Sequence, residues 1–190
     1  MEILDVVDEY GEPTGETVDR ESAHAKGIRH RTSHVWVVRK KNGIYELLLQ
    51  KRSADKDAYP GCLDVSSAGH IPAGCGYIES ARRELNEELG IDAEDNEFID
   101  CGIKPSRGIR RNIFHGKEFV DNQISRVFIV FKDVEAEDIA CQKEELESVE
   151  WMTLDACKKM VERNSRPNCL DMHELKIIEE KLSELAKDAF

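Results

Sequence analysis

The sequence has no closely spaced cysteine pair. Cys62, Cys75, Cys101, Cys141, Cys157 and Cys169 are scattered with no C-x-x-C among them, so neither a cysteine zinc site nor a disulfide framework is indicated. No apolar run approaches the roughly 20 residues that cross a bilayer. The opening MEILDVVDEYGEPTG contains no basic leader followed by an apolar stretch. Together these absences lead us to expect a reduced, cytoplasmic setting. Internal repeats, low-complexity tracts and long Gly/Ser/Pro linkers are also missing, which favours a single domain over residues 1–190. Positive charge is in short supply as well: 27 Lys and Arg stand against 39 Asp and Glu, a formal net charge of -12. Such a field repels a nucleic-acid backbone and an anionic membrane surface, so neither is an expected partner. Screening over roughly 8 Å still permits a local basic pocket, and anionic small molecules remain candidate ligands.

What is present alternates strands with helices. Ile3 to Val7 reads as a short strand before the turn-rich EYGEPTG, within an N-terminal extension over 1–32. His34 to Val38 and Tyr45 to Arg52 read as strands joined by a tight turn at Lys41-Asn42-Gly43. Cys62 to Ala68 is expected to be another strand and Gly69 to Gly76 a loop. A helix follows from about Tyr77 to Leu89, stopped by Gly90. Further strands are expected at Glu97–Ile103, Gly108–Phe114, Ser125–Phe131 and Ser148–Met152, and helices at Thr153–Asn164 and Leu170–Lys187. The sum is an α+β fold, an α/β/α sandwich. In the last helix Leu175, Ile178, Leu182 and Leu185 share one face, which packs on the domain's own sandwich or serves a homodimer. Lys104 to Lys117, with Arg107, Arg110 and Arg111, reads as a basic loop that shapes substrate entry or as an ordinary exposed hairpin.

The informative segment is GHIPAGCGYIESARRELNEELGI, Gly69 to Ile91. Ile78, Ala81, Leu85 and Leu89 make one apolar stripe. Glu84, Glu87 and Glu88, at i, i+3 and i+4, cluster on a separate face. Three adjacent carboxylates weaken an isolated helix by a few tenths of a kcal/mol per pair. Acidic helix faces are usually only solvated, but oxygen-rich clusters also suit Mg²⁺ or Mn²⁺, with water and substrate phosphates completing the shell.

The flanking residues narrow the choice. Arg83-Glu84-Leu85-Asn86-Glu87-Glu88-Leu89-Gly90-Ile91, with Gly69 upstream, resembles the Nudix box G-x5-E-x7-R-E-U-x-E-E-x-G-U, where U is a bulky apolar residue, over 69–91. The resemblance implies a Nudix-type sandwich with a mixed central sheet and C-terminal helices over 153–190. It also implies metal binding by Glu84, Glu87 and Glu88, orientation of the helix by Arg83, and hydrolysis of a diphosphate linkage in a small, nucleotide-like substrate. One position departs: the first box glutamate is replaced by Cys75. A thiol offers no charged partner, so Arg83 is expected to turn to Glu79 or Glu87. Cys75 therefore marks a weakened box, or a protein that binds ligand without turning it over.

The first 75 residues also resemble the branch that contains type I isopentenyl-diphosphate isomerases, through Pro13 to Gly15, His24, His30, the strand at Trp36, Leu47 to Gly61, and His70. That likeness implies diphosphate contacts for Arg20, Arg52 and Lys56, and a metal site at His24, His30 and His70. For each histidine the ordinary reading is a hydrogen-bonded structural residue. The isomerase cysteine is replaced by Ala68 and its second carboxylate by Gln123, which makes isomerisation the lesser alternative. For the general base, the family points to the region of Glu144 and Glu145, which equally reads as solvated charge before a strand.

Overall fold

The structure is a computed structural model that describes residues 2–56, 58–114 and 117–188; side chains at 110–114, 117 and 188 lie outside that description. Strands β1 (Ile3–Val7) and β2 (Pro13–Asp19) form an antiparallel hairpin. A helix that the sequence reading does not anticipate, α1 (Arg20–Lys26), follows it. At seven residues it is too short to show a period. Its signals are its ends: the Asp19 carboxylate accepts from the Ser22 amide, and Gly27 closes the helix at φ 65°.

Strands β3 (His30–Lys41) and β4 (Ile44–Arg52) are joined by Asn42 and Gly43, both at positive φ. This is the two-residue turn that the Asn-Gly pair predicts. The single strand expected at Cys62–Ala68 is instead two, β5 (Leu63–Asp64) on β4 and β6 (Ser67–His70) on β3. Between them Ser66 bridges the diverging strands: its hydroxyl accepts from the Val37 amide (2.7 Å) and donates to the Leu48 carbonyl (2.6 Å).

Helix α2 (Tyr77–Leu89) has the expected bounds and ends at Gly90 with φ 64°. Strands β7 (Ile99–Phe114) and β8 (Lys117–Phe131) form one long antiparallel ladder. The two strands expected at Glu97–Ile103 and Gly108–Phe114 are therefore one, and of the two readings of Lys104 to Lys117 the described residues follow the hairpin. Hydrogen bonding to β8 continues through the polar stretch between the two expected strands. The side chains of Arg110 and Arg111 lie outside the described residues. Strand β9 (Leu146–Thr153) and helices α3 (Leu154–Arg163) and α4 (Met172–Asp188) complete the chain.

The larger sheet runs β5-β4-β3-β8-β7, with β6 on β3 and β9 on β4. The β3–β8 pair is parallel and the other pairs are antiparallel, giving a mixed sheet. Alternation along β3 sorts its two faces. Val35 and Val37 meet Ala81, Leu85 and Leu89 of α2, whereas Trp36 and Val38 meet the α3 and α4 side with Cys157, Leu175 and Ile178. The expected α/β/α sandwich is observed. Of the α4 stripe, Leu175, Ile178 and Leu182 are buried in the core on the chain's own sheet and Leu185 is half-buried, the arrangement expected if the stripe packs on its own sandwich.

Candidate active site

Three box residues reach a common cleft of about 740 Å³ by different routes. Helix α2 packs across β6, and Glu84 lies on Gly69. A Cβ at residue 69 would stand 2.4 Å from Glu84 Cδ and 2.5 Å from its Cγ, so a hydrogen there is what admits the carboxylate. Glu88 is buried and Glu87 is half exposed, so the carboxylate face is graded in solvent access. Burial pushes the Glu88 carboxyl up to about 8, and repulsion from Glu84, Glu145 and Asp64 adds to it. Burial also raises Glu84, against the opposing charge of Arg83. Glu88 Oε2 is buried with no hydrogen-bond partner among the described residues. A divalent cation fits this donor set, because it would occupy that lone oxygen and cancel the repulsion between the carboxylates.

Arg83 spans two of these groups from outside the cleft. One guanidinium nitrogen is 2.7 Å from Glu84 Oε1 and another 3.1 Å from Glu87 Oε2. Of the two partners expected for it, Glu87 is used, whereas Glu79 accepts from the Gly76 amide at the start of α2 (3.3 Å). Glu84 was not anticipated. The loop carrying Cys75 is held in another way. Asp5 Oδ2 accepts from Arg31 (2.7 Å) and from the Gly74 amide (2.9 Å), Arg31 also donates to the Cys75 carbonyl (3.1 Å), and the Ala73 amide donates to Ile3 (2.8 Å). The N-terminal hairpin thus anchors the loop without the missing glutamate.

Of the adjacent pair considered for a general base, Glu145 lines the cleft and Glu144 is exposed outside its lining. The Gln142 amide donates to the Glu88 carbonyl and the Glu145 amide to Gln142, which ties this loop to the end of α2. Glu145 forms an ion pair with Lys56 inside the cleft. Arg52 also lines the cleft, but its guanidinium is engaged by Asp64 (2.9 Å) and by the Ala58 carbonyl (3.0 Å). Arg20, at the start of α1, lines the cleft and pairs with Glu2 at 3.2 Å.

His24, His30 and His70 come together from α1, β3 and β6, with ligand-type atoms all within 4.8 Å of one another. His24 Nε2 and His70 Nε2 are 3.1 Å apart. His30 Nδ1 donates to the Ile28 carbonyl (2.9 Å), leaving its buried Nε2 without a partner among the described residues. Burial drives His24 down to about 4 and lowers His30 and His70, which favours the neutral imidazole in each. Neutral imidazole is the form that binds a metal.

The structure adds residues to which the sequence reading gave no role. His34 and Lys104 line the cleft and both meet Glu174 of α4. Glu174 could have been noticed, since it stands four residues before Ile178 on the buried stripe of α4. The family model of the NUDIX domain matches residues 28–170. The chain is 37% identical over 161 residues to a Nudix hydrolase of Clostridium acetobutylicum, covering 85% of this chain and 74% of that one. DR0079 from Deinococcus radiodurans superposes with a TM-score of 0.67 at 19% identity, over 92% of this chain and 98% of its own. The NUDIX domain of Shewanella oneidensis NrtR, solved with ADP ribose, gives a TM-score of 0.52 at 15% identity, over 87% and 94%. The box on α2, its placement on the mixed sheet and these likenesses agree, and the chain belongs to the Nudix hydrolase family.

Proposed function

We propose that this protein is a Mg²⁺- or Mn²⁺-dependent hydrolase that cleaves the diphosphate linkage of a small, nucleotide-like molecule. The observation that carries the reading is the convergence of Glu84, Glu87, Glu88 and Glu145 on one cleft in which Glu88 Oε2 has no partner among the described residues. Glu84, Glu87 and Glu88 would hold the cation, which supplies polarisation of the phosphoryl oxygens and a more acidic bound water. Arg83 keeps Glu84 and Glu87 aligned. Glu145, beside Glu88, is the carboxylate positioned to take the proton of the attacking water, whereas exposed Glu144 is not. Lys56 and Arg20 carry the ammonium and guanidinium donors for phosphate oxygens. Arg52, committed to Asp64, serves chiefly to shape the loop that presents Lys56. The ADP ribose bound by the NrtR domain supports a nucleotide-like substrate.

His24, His30 and His70 form a second candidate metal set beside the carboxylates, their proximity and the lone Nε2 of His30 being the supporting observations. Isomerisation by the thiol route is not favoured. Ala68 lines the cleft where a thiol would be needed, and Cys169, which also lines it, donates to the Leu63 carbonyl and is raised by burial far above ordinary thiols. The test is Mg²⁺-dependent turnover on a panel of diphosphates with Glu87→Gln beside the wild type. A loss of about a hundredfold or more in kcat in the variant, with unchanged melting, is expected. Equal rates in the two proteins would refute the carboxylate mechanism.

A further inference from the structure

The lining of the cleft includes residues that meet α4 and to which the proposed diphosphate chemistry gives no role. Glu174 has a side-chain exposure of 2% and is ringed by donors. Trp36 Nε1 donates to it at 2.8 Å, His34 Nδ1 lies at 2.9 Å, and Lys104 Nζ lies at 2.7 Å. Lys104 is also 3.3 Å from Asp171. Burying a carboxylate costs several kcal/mol before its partners offset it, and a leucine would fasten α4 to the sheet without that cost. What a carboxylate adds is orientation, since two of its three partners, His34 and Lys104, line the cleft.

The orientation continues across the sheet. With Nδ1 turned to Glu174, the other nitrogen of His34 faces Ser125 Oγ at 3.4 Å, and that hydroxyl lies 2.8 Å from Thr32 Oγ1. Register places Thr32, Ser125 and Lys104 in one row across β3, β8 and β7, and His30, Gln123 and Ser106 in the next. Ser106 Oγ is buried with no partner among the described residues, on a residue that lines the cleft. The surface is thus a set of polar donors and acceptors around the Lys104 ammonium, which Glu174 and Asp171 balance, with exposed Arg107 lining the cleft beyond Ser106.

This composition discriminates between ligands. The buried Lys104 ammonium is already matched by two carboxylates and has little left for a phosphate, and a prenyl chain would leave these polar groups desolvated and unpaired. A flat base would want an aromatic face. The aromatic rings on the lining are elsewhere: Phe119 is stacked on His24 (4.1 Å between centroids) six residues along β8 from Ser125, and Tyr59 lies in the loop after β4. A sugar fits, with hydroxyls for the polar row and its C–H face for Leu170 and Met172, which also line the cleft.

We propose that the cleft lining beside Glu174 is a subsite for a hydroxylated, sugar-like group joined to the diphosphate, recognised by Thr32, His34, Lys104 and Ser106 and aligned by Glu174. It rests on the diphosphate reading of the same cleft. Ribose 5-diphosphate and dimethylallyl diphosphate test it, because each puts five carbons on the same diphosphate. Inorganic diphosphate is the baseline. Equilibrium binding of the full chain is measured with Ca²⁺ in place of Mg²⁺, and kcat/KM with Mg²⁺. The ribose compound should bind at least tenfold tighter than either comparator. Thr32→Val and Ser106→Ala should each narrow its advantage over inorganic diphosphate by roughly five- to thirtyfold, the scale of one lost hydrogen bond to a bound group. Equal or tighter binding of the prenyl compound, or a ribose advantage untouched in both variants at unchanged melting temperature, overturns the subsite. A ribose advantage in binding without Mg²⁺-dependent turnover would refute the hydrolase reading and leave the subsite standing. Turnover without that advantage would do the reverse.

Discussion

Gly69→Ala isolates the geometry of the proposed metal carboxylates from the stability of the fold. The added Cβ would lie 2.4 Å from Glu84 Cδ, 2.5 Å from Cγ and 2.8 Å from Oε1. Carbon atoms in contact settle near 3.5 Å, so the carboxylate must retreat by about 1 Å. The backbone has no reason to object, because Gly69 is a strand residue and not among the glycines at positive φ. Alanine in a strand is, if anything, favoured over glycine by roughly 0.5–1 kcal/mol. Glu84 is a long side chain that can swing away, relieving its own burial. A misplacement of about 1 Å costs on the order of a hundredfold in rate, equivalent to about 2.7 kcal/mol in the barrier. The expected outcome is therefore a melting temperature within about 4 °C of wild type, weaker Mn²⁺ binding, and kcat/KM down about a hundredfold. Mn²⁺ titration, thermal melting and diphosphate turnover on the same preparation check it. Wild-type turnover and Mn²⁺ affinity in the variant would refute the packing argument, and so would an activity loss matched by a collapse in stability.

Arg83→Ala removes a guanidinium that is 42% exposed, so its effect on stability should stay below about 1 kcal/mol while Mn²⁺ affinity falls about tenfold; chemical denaturation and metal titration separate the two. Asp5→Ala strands the buried Arg31 and frees the Gly74 amide, and should cost roughly 3 kcal/mol in urea unfolding. Glu174 supplies a pH dependence. His34 and Lys104 hold its carboxyl down at about 2 despite burial, below its ordinary value of 4.5, so its contribution to stability is complete above 4.5 and is lost as pH falls toward 2. Over that window wild-type stability should fall more steeply than that of Glu174→Gln; parallel curves from denaturation at stepped pH would contradict the assignment.

Helix α2 was legible because everything that defines it is local. The stripe Ile78-Ala81-Leu85-Leu89, the carboxylates at i, i+3 and i+4, and the stop at Gly90 lie within 14 residues, and the structure keeps the same bounds. The Asn42-Gly43 turn was readable for the same reason, since both residues tolerate positive φ. The break between β5 and β6 was not readable, because it depends on where β3 and β4 part and on Ser66 filling the gap. The continuity of β7 from Lys104 to Arg107 was not readable, because strand character there comes from pairing with β8 rather than from its own apolar pattern.

Sequence alone therefore determined the box helix, its carboxylates and the family, since each is written in spacings shorter than a few helical turns. Folding decided which polar groups would share the cleft. Glu174 and His34 are 140 residues apart, and His24 and His70 are 46 apart. His34 meets Glu174 because α4 crosses the face that α2 leaves uncovered, and His70 meets His24 because β6 pairs with β3 while α1 packs beside β8. A periodic pattern tells which side of an element is buried; what it is buried against is set only when the layers pack.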